Sequence, residues 1–128
     1  MFQINAVLNP SVIDDVVQGL HDEKIHGITI TNVVGKGCFN KENKLIEKVL
    51  IVIVVADTIH KEKAMEAIRA NAQDIEHGTG KMWVTPVLEV ERIRTGEKDL
   101  DALSFTTKKE VLHSEKVEVF SSIDTPSS

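Results

Sequence analysis

An α+β fold is predicted for this 128-residue chain by three observations. Short β-branched runs and two helical stretches follow one another in the order strand, helix, strand, strand, helix, strand. The strand-type runs either alternate with a period of two or are apolar throughout. The two middle strands are joined by a polar segment and not by a helix. That order is the ferredoxin-like βαββαβ plan, two split strand-helix-strand units on one antiparallel sheet.

The first strand is expected over Phe2 to Leu8, where Ile4, Ala6 and Leu8 share a face before Asn9 and Pro10 end it. Ser11 then offers an N-cap with Asp14 three residues on. Val12, Ile13, Val16, Val17 and Leu20 recur at helical spacing, which carries a helix to about Glu23. After Gly27, Ile28 to Val34 reads as a β-branched strand ended by Gly35 and Gly37, and Lys36 to Glu47 is polar enough to be a loop. Lys48 to Ala56 has no alternation, as a strand covered on both faces would have, and a neighbouring subunit is a candidate for the second cover. Ala64, Ile68 and Ala72 mark the inner face of a helix from Thr58 to near Gln73. Asp74 to Gly80 reads as a turn, and Met82 to Ile93 as one extended strand at an edge or with a bulge, given Pro86. A domain over residues 1–103 is expected, followed by a C-terminal extension over 104–128. Within the extension, Glu110 to His113 and Lys116 to Phe120 are a candidate hairpin, and the SSIDTPSS ending is low in apolar residues.

Composition narrows the function. A chain 41% hydrophobic and 27% charged is neither disordered, collagenous nor coiled coil. With 15 Lys and Arg against 20 Asp and Glu, it carries no positive field with which to hold nucleic acid. The apolar run Val49 to Ala56 is strand-length and far below the roughly 20 residues that span a bilayer. A single cysteine, Cys38, and an N-terminus without a secretory pattern lead to the expectation of a cytoplasmic protein.

Two segments suit phosphate chemistry, and a third, Gly35 to Gly37, does not reach it. In GTGK, Gly78 to Lys81, two glycines let successive N–H groups turn inward around an anion, and the lysine adds charge. It is not a Walker A loop, because Ile75 stands where the first glycine would be and Met82 replaces the magnesium-binding hydroxyl. In VERIRTGE, Val90 to Glu97, Arg92 and Arg94 stand two apart and share a face if that segment is extended, as two forks on a polyphosphate would. The bland alternative is a solvated face paired with Glu89 or Glu91. Gly35 and Gly37 flank Lys36, but Asn40 replaces the third glycine of a dinucleotide fingerprint. The histidines at 21, 26, 60, 77 and 113 lack zinc-ligand spacing, and Cys38 lacks an activating neighbour beyond Lys36 and Lys41, so neither a metal nor a catalytic residue is expected.

Together, GITITNVVGKG (Gly27 to Gly37), KVLIVIVV from Lys48, AQDIEHGTGKMWV (Ala72 to Val84) and RIRTGE (Arg92 to Glu97) resemble the PII signal-transduction superfamily. These are trimeric ferredoxin-like proteins that bind adenine nucleotides between subunits. The resemblance implies a homotrimer in which Gly78, Thr79, Gly80, Lys81, Arg92 and Arg94 hold phosphates. Thr29 and Val54 line the adenine pocket, Gly35 and Gly37 face the nucleotide from its other side, and Lys48 is a loop contact for a ligand. Thr79 stands where the family usually has Asp, Val52 where it has Glu, and Phe39 where it has the glutamine that helps hold magnesium and 2-oxoglutarate. The loop after Gly37 is about ten residues shorter than the family's T-loop. With no tyrosine in the chain, nucleotidylation of a tyrosine is excluded.

The expectation is therefore a PII-like signalling protein without resident cofactor. It takes ATP, ADP or AMP as ligand, with magnesium left open, and regulates a transporter or metabolic enzyme according to energy state. It is not expected to sense 2-oxoglutarate, to be an enzyme or to be embedded in a membrane. The alternatives are a sensor of cyclic AMP or bicarbonate, a slow ATP hydrolase in the same cleft, and a metal-binding module of the same fold.

Overall fold

The computed structural model describes residues 1–36, 44–73 and 80–103, and within them the elements follow the expected order. They are β1 (Phe2–Leu8), α1 (Ile13–Asp22), β2 (Ile28–Gly35), β3 (Ile46–Val55), α2 (Thr58–Asn71) and β4 (Lys81–Pro86). The four strands form one antiparallel sheet in the order β2-β3-β1-β4, so the fold is the ferredoxin-like one. The extension beyond Leu103 and its expected hairpin lie outside the described residues.

Register decides which side chains meet. Ile4 lies opposite Ile53 and Val84, Ala6 opposite Ile51 and Met82, and Ile53 also opposite Ile28. This face packs on the helices. Val16 and Leu20 of α1 and Ala64, Ala67 and Ile68 of α2 are buried with Ile4, Ala6, Leu8, Ile51, Ile53 and Val55 in one aliphatic core. Helices this close need small residues at the crossing. At Gly19 a Cβ would come within 2.4 Å of the Asn71 side-chain nitrogen.

The other face carries Thr29 and Thr31, Leu50, Val52 and Val54, Gln3, Asn5 and Val7, and Lys81, Trp83 and Thr85, and no helix of the described residues covers it. Among the described residues β3 is therefore covered by helices on one side only. Val49, Ile51, Ile53 and Val55 are buried, whereas Leu50, Val52 and Val54 are half-buried on the open face. The missing alternation in the sequence reflects an apolar outer face, with Leu50, Val52 and Val54 opposite to the core-facing residues of β3.

Three boundaries differ from expectation. Ser11 does not cap α1. Pro10, with its fixed φ and no N–H to satisfy, starts a single 3₁₀ turn over Pro10–Val12, and α1 follows from Ile13 with Val12 at the N-cap position and no side-chain cap. Asp14 and Asp15 still lie in its first turn, where the helix dipole favours them. The middle loop is shorter than expected, because Ile46 and Glu47 already pair with Gly35 and Val34. The last strand ends at Pro86 and does not run to Ile93. Proline has no N–H for the ladder, Val87 makes one further bond to the Met1 carbonyl at 3.0 Å, and the chain then leaves the sheet.

Candidate functional site

One end of the sheet gathers four of the expected site residues. β2 ends there at Gly35, β3 begins opposite it at Ile46, and Lys48 lies opposite Val33. β4 starts at Lys81, opposite Val7, with Gly80 immediately before it. Gly80 has φ +91°, and a Cβ there would lie 2.2 Å from the Val7 carbonyl oxygen, so only glycine lets the chain pass this close to β1. Gly35 is less constrained, since its Cβ would meet Lys48 Cγ at an ordinary 3.6 Å. Lys48 Nζ donates a hydrogen bond to Asn9 Oδ1, which anchors it to the end of β1. Two hollows open at this end. One of about 420 Å³ is lined by Pro10, Asn32, Val33, Val34, Glu47 and Lys48, and one of about 90 Å³ is lined partly by Leu8, Ile68, Gly80, Lys81 and Met82. Gly37, Gly78 and Thr79 lie outside the described residues.

Thr29 and Val54 lie toward the opposite end, both on the open face. Thr29 is exposed opposite Val52, and Val54 is half-buried opposite Gln3. Six residues of strand separate Thr29 from Gly35, about 20 Å at the usual rise. Neither hollow is lined by Thr29 or Val54.

Arg92 and Arg94 belong to the segment that follows where the chain leaves the sheet at that same far end, past the Val87 bond to the Met1 carbonyl. They are not on an extended strand and do not share a face. Residues 90–99 form a compact turn, closed by Arg92 N–H to the Glu97 carbonyl (2.8 Å), Gly96 N–H to the Arg92 carbonyl (2.7 Å), Asp99 N–H to the Val90 carbonyl (2.8 Å) and a bridge between Glu91 and Lys98. Gly96 takes φ +73° to close it. The two guanidinium groups part company. Arg92 turns inward, with Nη2 donating to the Ala102 carbonyl at 2.9 Å and Nη1 3.6 Å from Glu97 Oε1, and both charged side chains are only 8% exposed. Arg94 is exposed on the outside of the turn. Its partner is thus Glu97 for Arg92, not Glu89 or Glu91, and Glu91 pairs with Lys98 at 3.5 Å.

The structure also reveals a cap that the sequence reading omitted. Asp57 precedes α2, and its carboxylate accepts from the His60 backbone N–H at 2.8 Å and approaches His60 Nδ1 at 2.7 Å. The backbone bond, then the side-chain bond, holds the Asp57 carboxyl below its ordinary range. Its folded-state pKa being depressed, the cap stabilises above the ordinary aspartate value and is lost as pH falls through the folded one. Asp57→Ala is expected to lower the melting temperature at pH 7, with the difference from wild type shrinking toward pH 3. A difference that stays constant with pH would remove the charge from the cap. An Asp-Thr pair just before a helical pattern was the available signal.

No group of three or more His, Cys, Asp or Glu side chains among the described residues is arranged to hold a metal ion, although His21 and His26 meet edge to face with centroids 5.1 Å apart. No helix among the described residues is long and apolar enough to cross a membrane.

The sequence profile of one family, described as nitrogen regulatory protein P-II, matches residues 1–97. Among curated proteins, a nitrogen regulatory protein P-II of Azospirillum brasilense is 40% identical over 113 residues, covering 80% of this chain and all of its own length. Nitrogen regulatory protein P-II 1 of Methanothermobacter thermautotrophicus is 36% identical over 117 residues, covering 80% of this chain and 97% of its own. A nitrogen regulatory protein P-II of Cyanidium caldarium is 37% identical over 111 residues, covering 79% of this chain and 97% of its own.

Proposed function

Because the chain belongs to the nitrogen regulatory protein P-II family, whose members are regulators and not enzymes, we propose that it binds adenine nucleotides in clefts between the subunits of a homotrimer. ATP and ADP are the primary ligands, with AMP as a third. The bound nucleotide sets the contact that the loop between β2 and β3 makes with a transporter or metabolic enzyme, so that the target follows energy state and not 2-oxoglutarate.

The observation that carries this reading is the division of the candidate residues into two sets. Gly35, Lys48, Gly80 and Lys81 lie at one end of the sheet, whereas Thr29 and Val54 lie toward the other, where the chain that carries Arg92 and Arg94 leaves β4. One chain cannot close them on a single nucleotide. Two chains can, if the phosphate-binding end of one meets the Thr29, Val54 and Arg94 end of the next. The sheet face that no described helix covers supports the assembly, because Leu50, Val52 and Val54 are half-buried there and Trp83 is 44% exposed.

Calorimetry with ATP and ADP tests the proposal, and no heat at tens of micromolar protein would sink it. Arg94→Ala removes a charge-assisted contact to phosphate and is expected to weaken ATP binding about 10- to 100-fold. Unchanged affinity would take Arg94 out of the site.

A further inference from the structure

Near the middle of the open sheet face stands a polar side chain that its apolar surroundings do not explain. Asn5 is the midpoint of β1, a central strand, and lies opposite Val52 on β3 and Trp83 on β4. It is only 6% exposed. Its Oδ1 accepts from Gln3 Nε2 at 2.9 Å, which fixes the way the carboxamide points, and its Nδ2 is buried with no hydrogen-bond partner among the described residues. A buried donor left unpaired is costly, and a leucine of nearly the same shape would avoid that cost. Reaching the amide takes a shift of the side chains around it, and Trp83, 44% exposed beside it, has room to make one.

We infer that Asn5 sets the register of the assembly: its Nδ2 donates to an oxygen on the open face of a second copy of this chain, and so selects one way of packing apolar faces that would otherwise slide. This rests on the homotrimer proposed above and names a residue that decides its geometry. A second copy fits because the same face carries acceptors, namely the Thr29, Thr31 and Thr85 hydroxyls and the second lone pair of Asn5 Oδ1 itself. Leu50, Val52 and Val54 supply attraction without direction, since apolar burial is nearly indifferent to a slide of one residue pair along the strands. Such a slide takes Nδ2 off its acceptor. Each misplaced chain then keeps an orphaned donor, which disfavours the wrong arrangement about 10-fold per chain and about 1,000-fold for three. A lone asparagine in the apolar seam of a coiled coil acts in the same manner, giving up stability for a single register and stoichiometry.

Asn5→Leu separates a register contact from a mere defect, since it keeps the volume of the side chain and removes both polar ends. If Asn5 sets the register, Asn5→Leu still associates, but native mass spectrometry and sedimentation report a mixture of stoichiometries where wild type gives trimers alone. If the donor is simply unpaired in every state, Asn5→Leu raises the melting temperature and keeps the single wild-type stoichiometry. That result overturns the inference and leaves the homotrimer standing. A wild-type chain that stays single at tens of micromolar sinks the homotrimer, and with it the partner of Asn5. Should Asn5→Leu not fold, Asn5→Val, with a side chain suited to a central strand, takes its place with the same expected mixture and the same overturning result.

Discussion

Gly80→Ala is expected to destabilise the chain by about 2–4 kcal/mol. Two costs add. The backbone at Gly80 holds φ +91°, a region that residues with a Cβ seldom enter. The Cβ itself would lie 2.2 Å from the Val7 carbonyl oxygen and 3.3 Å from Leu8 Cδ2. The first of these is a main-chain atom of β1, a central strand held by β3 on one side and β4 on the other, with Val7 opposite both Leu50 and Lys81. It has no room to yield without disturbing two ladders. Two other glycines calibrate the effect. Gly96 shares the positive φ but meets nothing within 4 Å, so Gly96→Ala should cost only about 1–2 kcal/mol. Gly35 has neither problem, and Gly35→Ala should fall within about 0.5 kcal/mol of wild type. Urea unfolding of the three variants gives the order directly. Gly80→Ala as mild as Gly35→Ala would mean that the close approach to β1 does not exist. Since Lys81 follows Gly80, the variant that does fold should also bind ATP less well.

The same residue shows how far the sequence could be read. GTGK offers itself as a candidate phosphate loop by its glycines, but nothing local says that Gly80 is required first by the β1 carbonyl behind it. Where periodicity and punctuation dominate, the reading succeeded. The Ala64, Ile68 and Ala72 stripe, the β-branched run from Ile28 and the apolar run of β3 gave the right elements in the right order, because burial on one face imposes a period that survives in sequence. It failed where one residue's covalent chemistry overrode the pattern. Pro10 moved the helix start past Ser11, and Pro86 ended a strand that Val87, Leu88 and Val90 made look continuous although Leu88 is 90% exposed. The candidate site divides along the same line. The residue types that suit phosphate were legible from spacing, but the inward turn of Arg92 depends on Ala102, ten residues away, and the anchoring of Lys48 on Asn9, thirty-nine positions away. Such contacts leave no periodic trace. The separation of Thr29 and Val54 from the lysine-bearing end of the sheet was equally hidden, because it follows from register.

That separation makes Leu50→Asp the substitution with the widest expected consequence: loss of assembly and of nucleotide binding together, with the single chain still folded. Leu50 stands on the open face, opposite Val7 and Thr31, and is half-buried in one chain. Its neighbours along β3, Val49 and Ile51, point to the other face and supply the core, so a carboxylate at 50 leaves the helix-packed side untouched. In an isolated chain the new charge keeps access to water. In an assembly that covers the face it does not, and each buried carboxylate costs several kcal/mol without a partner, repeated at every subunit. At about 4 kcal/mol per site, association weakens roughly 1,000-fold for each carboxylate buried. Native mass spectrometry or sedimentation should then report single chains where wild type gives trimers. Calorimetry should find no ATP binding, because the Lys81 end of one chain no longer meets the Arg94 end of the next. Gln18→Asp, the same charge change on the exposed side of α1, is expected to leave both measurements at wild-type values. A folded, monomeric Leu50→Asp that still binds ATP at wild-type affinity would place the whole site within one chain, against the register that sets its two halves apart.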